Sequence, residues 1–443
     1  MVRTEGPALR LEVRRLSGLD PEERKQILER AVGEDADLRA RVRDILDDVR
    51  VRGDDALRAL SARFDGVVPE RLVLGPEEME EAWGALDAPL KAVLERAARN
   101  LARVAEGTMP LDEEVEVEPG LLVTQRFRPL RRIGCYVPGG KAAYPSSVLM
   151  TAVPARAAGV DEVVVATPPG PDGRPPLEVL AACRLAQVDE VLVSGGAQAI
   201  GALAYGTGSV AAVEKIVGPG NRYVTEAKRA VFGRVGIDSP AGPTEVLVLA
   251  DASADPTWVA LDLIAQAEHA EDARCVLVTP DARFAEAVAA RIPALLDDHP
   301  RAAIAGRALS DHGLLLVSDD VDSACAFAAD YAPEHLQIMT ETPDLWSEAV
   351  PTAGTTFIGH HAPVAVGDYL TGADHVLPTA GAARWAEPLS AHDFLRRTTE
   401  QRLTPDAARA LIDDLALFAR SEGLEGHARS MEARRGKTQE GGV

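Results

Sequence analysis

Glu334 and His335, neighbours in the run YAPEHLQI, set a carboxylate beside an imidazole directly after Pro333. Such a pair can divide acid–base work, because imidazole is available in its neutral form near neutral pH and a carboxylate can activate water. The same residues equally fit an ordinary helix start, where peptide dipoles favour acidic side chains. In PTWVALDLIAQAEHA, Gln266 and His269 stand three apart, so on a helix they project from one face toward one ion. An amide oxygen is an uncommon ligand, and a histidine on a mostly apolar helix also fits a hydrogen-bonded core residue. Asp368 in VGDYL and His427 in LEGHARS offer a further oxygen and imidazole, completing a mixed N/O set suited to zinc or a similar divalent ion. His360, His361, His375 and His392 compete for that role on chemical grounds. Cys135 is a conceivable nucleophile for aldehyde oxidation, yet a cysteine at an apolar strand end is ordinarily a small buried hydrophobe.

All nine histidines, from His269 to His427, fall in the last two fifths of the chain, whereas glycine-rich strand ends cluster between Gly134 and Gly242. SGGAQAIG and VGPGNRYV follow short apolar runs. In parallel sheets, loops beyond the carboxyl ends of strands receive phosphates on backbone N–H groups and helix N-termini. No G-x-G-x-x-G follows the first of these runs, so the dinucleotide fingerprint is absent and tight turns are the simpler reading of the loops alone.

The scaffold for these groups reads as α/β. Asp20 and Pro21 form an N-cap and first helical position for PEERKQILERAV, and periodic helical segments follow at 37–63 and 87–106. VEVEPGLLVTQRFRPL has the pattern of a hairpin leading into GCYVPGGKAAYP. Short apolar runs then alternate with helical patterns: VVVAT, VLVSGG and KIVGPG in one series, VLVLAD, CVLVTP and LLLVSD in a second. That alternation predicts two halves with parallel sheets and crossover helices. After a loop-like stretch from Ala362, two helical segments are expected near 390–401 and 404–434.

At 443 residues and 46% hydrophobic content, the chain is expected to fold into more than one globular domain. A net charge of −22, spread along the chain, argues against nucleic-acid and anionic-membrane partners. The four cysteines, Cys135, Cys183, Cys275 and Cys325, form no C-x-x-C pair, which fits a reducing compartment. Without a signal-like N-terminus or an apolar run of about 20 residues, the expected location is the cytoplasm.

The stretch Gly206 to Glu245, GTGSVAAVEKIVGPGNRYVTEAKRAVFGRVGIDSPAGPTE, resembles the histidinol dehydrogenases, above all in IDSPAGPTE. RIGCYVPGGKAAYPSSVLM, SGGAQAIGALAYGT, AQAEH, YAPEHL, VGDY, HVLPT and EGLEGHA resemble the same family in order, so the similarity covers about residues 10 to 435. The resemblance implies oxidation of L-histidinol to L-histidine through L-histidinal with two NAD, the last step of histidine biosynthesis. It implies one Zn2+ per subunit held by Gln266, His269, Asp368 and His427, NAD contacts from Tyr136, Gln198 and Asn221, and catalysis by Glu334 and His335. Thr244, Glu334, His335, Glu422 and the metal ligands would surround the substrate, with Glu422 and His427 donated by the partner of a homodimer.

The implied fold is two incomplete Rossmann-like domains with a helical N-terminal arm, 1–31, and a helical C-terminal tail, 389–443, that crosses the dimer. Residues 32–135 and 246–388 would form the domain carrying most metal ligands, and 136–245 the domain carrying the NAD contacts. Asp374 stands where relatives usually carry Asn, and Gly426 where Ala is commoner. The alternative enzymes are a zinc- and NAD-dependent dehydrogenase of another polar alcohol, and a zinc hydrolase using Glu334.

Overall fold

The computed structural model describes residues 11–30, 35–139, 143–239 and 242–436. Residues 140–142 of GCYVPGGKAAYP, 240–241 of IDSPAGPTE, and the ends of the expected arm and tail lie outside them. Contacts divide the chain into a large unit, Met1–Gly107 with Arg131–Phe394, and a small one, Thr108–Leu130 with Leu395–Val443.

In chain order the strands are β1 (Val13–Arg15), β2 (Val73–Leu74), β3 (Glu113–Glu118), β4 (Leu121–Pro129), β5 (Arg132–Tyr136), β6 (Glu162–Thr167), β7 (Glu190–Val193) and β8 (Lys215–Val217). Then follow β9 (Gly236–Ile237), β10 (Glu245–Ala250), β11 (Arg274–Thr279), β12 (Gly313–Val317), β13 (His335–Met339), β14 (Thr355–Ile358) and β15 (Leu395–Leu403).

The large unit holds two six-stranded sheets, ordered β2-β7-β6-β5-β8-β9 and β1-β12-β11-β10-β13-β14. All neighbours are parallel except β2, which runs antiparallel to β7. Each sheet thus repeats one winding, with β5 or β10 central, the next two strands to one side and the following two to the other. Helices cover both faces of such sheets, which is why VVVAT and EVLVLA are apolar without alternation and buried along nearly their whole length. Each winding creates a switch point, β5/β8 in the first sheet and β10/β13 in the second.

Several elements depart from the sequence reading. Residues 395–403 form a strand, β15, that pairs antiparallel with β4 from Leu395↔Pro129 to Leu403↔Leu121, where a helix was expected. The central Thr398 and Thr399 favour extended backbone, and the unpaired edge of the β3–β4 hairpin supplies the ladder. His335 opens β13, an interior strand, with Glu334 immediately before it, where a helix start was one reading. The expected arm is not wholly helical, since β1 adds to β12 in the second sheet. The segment 37–63 is broken at Gly53, whose positive φ of 55° separates helices Ala36–Arg52 and Asp54–Phe64.

The early helices also pack differently from the expected grouping. Leu38, Val42, Leu46, Val49 and Leu57 share a core with Val164, Leu192 and Ile200 of the first sheet's layer, not with the 246–388 segment. Amphipathic periodicity shows which face of a helix is buried and is silent on which sheet receives it.

Candidate active site

β10 and β13 run side by side in parallel, with Val246 opposite His335, so Thr244, Glu245, Glu334 and His335 meet at the amino edge of the second sheet. Glu334 Oε2 accepts the Thr244 hydroxyl at 2.6 Å and the Glu245 backbone N–H at 2.7 Å. Thr244 Oγ1 in turn accepts from Gln266 Nε2 at 2.6 Å. His335 Nδ1 lies 3.0 Å from the Glu245 carbonyl and 3.4 Å from Glu334 Oε2. Both neighbours only accept, so Nδ1 carries a proton and Nε2 is the nitrogen left for chemistry. Burial lowers the His335 pKa, but the charge and hydrogen bond of Glu334, helped by Asp368, more than offset this and push it up to about 9.

Beneath this pair is a buried support that the motif reading missed. Glu245 is ion-paired to Arg30 at 2.8 Å, with both side chains essentially inaccessible, and accepts the Glu334 backbone N–H at 3.3 Å. Arg30 also donates to the Tyr331 carbonyl at 2.7 Å and stacks 3.6 Å from its ring centroid. Burial raises the Glu245 pKa, with the Arg30 charge opposing it. Glu245 closes the IDSPAGPTE run and was within reach of the sequence; nothing local marks Arg30, 215 positions away.

Gln266 lies in the last turn of the helix Pro256–Ala267, and His269 lies just beyond its end. Donation to Thr244 occupies the Gln266 nitrogen and leaves Oε1 as its acceptor, while His269 Nδ1 lies 3.0 Å from the Ala265 carbonyl, leaving Nε2 outward. Both donor atoms are thus oriented as a metal ligand's partners would orient them. Asp368 lies 3.9 Å from His375 Nδ1, and His375 Nε2 is 3.3 Å from Ser147 Oγ. Among the described residues no three His, Cys, Asp or Glu side chains form a metal cluster. The expected set supplies only His269 and Asp368 of these types from the large unit, beside the Gln266 amide. His427 and Glu422 belong to the small unit, where both are exposed. Gln266, His269 and Asp368 are of types that suit a hard or borderline divalent ion.

The competing histidines have other partners: His360 faces Ser253 Oγ at 3.3 Å, and His361 packs 5.6 Å from the Trp258 ring. His375 Nδ1 lies 3.9 Å from the expected ligand Asp368. Burial raises the carboxyl pKa of Asp374, beside it, well above the usual range, while Oδ1 accepts the Val376 N–H.

The expected NAD contacts gather at the carboxyl edge of the first sheet. Tyr136 ends β5, and its hydroxyl accepts the Gly196 N–H at 3.0 Å; burial pushes the phenol up to about 12. Gln198 is buried in the helix Gly196–Tyr205, and Asn221 caps Arg222–Val231 by accepting from Tyr223 and Val224. All three line one cleft of about 1490 Å³ with Gly195 and Gly196. A Cβ on Gly195 would sit 2.7 Å from Pro168, and Gly196 has φ +64°, so the cleft wall is backbone that side chains cannot cover. An extended ligand with phosphates fits such a wall. Cys135 is fully buried and its thiol is pushed up to about 12, which removes it as a nucleophile.

A family model for histidinol dehydrogenase matches residues 28–435. The histidinol dehydrogenase of Methanothermobacter thermautotrophicus is 44% identical over 409 residues, covering 92% of this chain and 96% of that protein. That of Ruegeria pomeroyi is 47% identical over 400 residues, covering 90% and 92%. The crystal structure of histidinol dehydrogenase from Elizabethkingia anophelis superposes with a TM-score of 0.89 at 31% identity, covering 96% of this chain and 98% of that one. Sequence and fold therefore agree, and this chain, an oxidoreductase, belongs to the histidinol dehydrogenase family.

Proposed function

We propose that the chain oxidises L-histidinol to L-histidine through L-histidinal in two NAD-dependent steps, as the last step of histidine biosynthesis, in a cytoplasmic homodimer with shared sites. The observation that carries this reading is the Glu334–His335 pair at the β10/β13 switch point, with the ring's Nδ1 anchored and Nε2 free. One Zn2+ per subunit, held by Gln266, His269, Asp368 and the partner's His427, would supply a charge that positions the substrate, while NAD in the first sheet's cleft would accept hydride.

The chain's own groups account for the protons. In its neutral form, whose share grows as pH rises toward about 9, His335 takes the carbinol proton on Nε2 as the C–H electron pair leaves, giving the aldehyde. Thr244 and Glu245 hold Glu334 Oε2, so Oε1 is the oxygen available to take a proton from water as that water adds to the aldehyde. His335, its proton returned to solvent, takes a second one as the hydrate loses its C–H electron pair. Two C–H bonds are broken, four electrons leave, and the product is a carboxylate. Thr244 and the partner's Glu422 would line the substrate.

The test is the NADH formed per L-histidinol consumed by the zinc-loaded protein, beside a metal-stripped sample. Two NADH with histidine as product, lost on stripping and restored by zinc, are expected. One NADH would indicate an alcohol dehydrogenase that stops at the aldehyde, and none would remove the histidinol reading in favour of another alcohol or hydrolysis.

A further inference from the structure

The loop Val217–Asn221 leaves β8 at the first sheet's switch point and carries Asn221 to the cleft. At its first turn, Gly218 adopts φ +115°, and a Cβ there would stand 2.2 Å from the Tyr136 carbonyl oxygen. The loop backbone therefore lies directly against the end of β5, the strand that presents Tyr136.

Two buried charges grip the two sides of this one residue. Asp238 Oδ2 accepts the Gly218 N–H at 2.7 Å, and Lys228 Nζ donates to the Gly218 carbonyl at 3.0 Å. Lys228 and Asp238 are themselves ion-paired, with side chains only 3% and 5% exposed. Lys228 comes from the helix that Asn221 caps, and Asp238 follows β9, so the ring ties the helix and the neighbouring strand to a single loop residue.

A buried ion pair is a poor source of stability, since desolvation offsets its attraction and apolar residues of similar size often serve as well. Its geometry is what apolar residues cannot reproduce: a donor and an acceptor at fixed positions on both sides of one glycine. Neither side chain lies among the expected NAD contacts, Tyr136, Gln198 and Asn221. We infer that Lys228 and Asp238 are positioning residues for the dinucleotide: together they clamp Gly218 and so set the spacing between Tyr136 and Asn221 across the cleft. The inference rests on NAD occupying that cleft.

The test is calorimetric titration of NAD into the zinc-loaded full-length protein, together with the KM values for NAD and histidinol and a melting temperature. Lys228→Met is expected to weaken NAD binding about tenfold or more, a difference of about 1.4 kcal/mol, with the histidinol KM and kcat at saturating NAD within about twofold. Lys228→Gln, whose amide can still donate to the Gly218 carbonyl, should recover part of the loss. The double variant Lys228→Met with Asp238→Asn leaves no unpaired buried charge and keeps the measurement possible if the single variant does not fold. Gln198→Ala reports on the cleft itself. If Gln198→Ala weakens NAD and the Lys228 variants do not, the clamp is overturned while the cleft stands. If neither weakens NAD, the cleft and the clamp fall together. If both KM values and the melting temperature fail in parallel in the Lys228 variants, the pair is structural and the positioning role is overturned.

Discussion

At the scale of single residues, His335 carries the most specific expectation. Its pKa of about 9 arises from competition between burial and a carboxylate that holds the proton. Replacing Glu334 with Gln removes the charge and leaves burial in control, so the imidazole should titrate near or below the ordinary value of about 6.5. Histidine NMR titration of the metal-free protein checks this, and a midpoint that stays near 9 would show that Glu334 is not the cause. Since the folded value lies above the unfolded one, the pair's contribution to stability is complete below about 6.5. It is lost as pH rises through about 9. Metal-free wild-type protein should therefore lose melting temperature over that interval, and Glu334→Gln should lose less. Nδ1 is fixed by a backbone carbonyl, so the ring's orientation depends on β10 and β13 staying in register.

Among elements, the support beneath the pair is long-range. Arg30 leaves the helix Pro21–Glu29 in the left-handed conformation, φ 42°, and reaches Glu245 on β10 and the Tyr331 carbonyl at the end of Val321–Tyr331. Arg30→Met leaves Glu245 buried without its cation, a change that typically costs about 3–5 kcal/mol. Denaturant unfolding should show a loss of that size, and Arg30→Met with Glu245→Gln should regain part of it. An Arg30→Met loss below about 1 kcal/mol would show that solvent reaches Glu245 after all. The two sheets share a winding but place their candidate groups at opposite edges. The first uses the carboxyl edge, as open α/β sheets ordinarily do. The second gathers Thr244, Glu334 and His335 at the amino edge, where Gln266 arrives because its helix runs back against β10.

For the whole molecule, the division into two units matters most. Among the described residues, Ala416, Ala419 and Ala428 form a buried cluster in the small unit, while Leu417 and Phe418 are 73% and 68% exposed. In the proposed homodimer, that apolar surface is what the partner subunit would cover. Mixing a His427→Ala chain with a Glu334→Gln chain should then restore roughly a quarter of wild-type activity in the mixture: random pairing makes half the dimers mixed, each with one intact site, by the mass-action logic of exchanging subunits. No recovery despite verified mixed dimers would mean that each chain completes its own site.

Alternating apolar runs and helices, read from the residues alone, determined the parallel α/β class, because two-sided burial imposes a legible pattern. Ordered motifs placed Tyr136, Gln198, Asn221, Thr244, Gln266, Glu334 and His335 in candidate roles before any geometry was known. The tertiary structure decided what depends on partners distant in sequence. Residues 395–403 became a strand because β4 had an open edge, the early helices joined the first sheet, and Arg30 and Lys228 acquired meaning only where β10 and Gly218 came to lie. Periodicity is a local property of the chain, whereas a buried charge or an edge ladder is satisfied by whichever distant group packing brings to it.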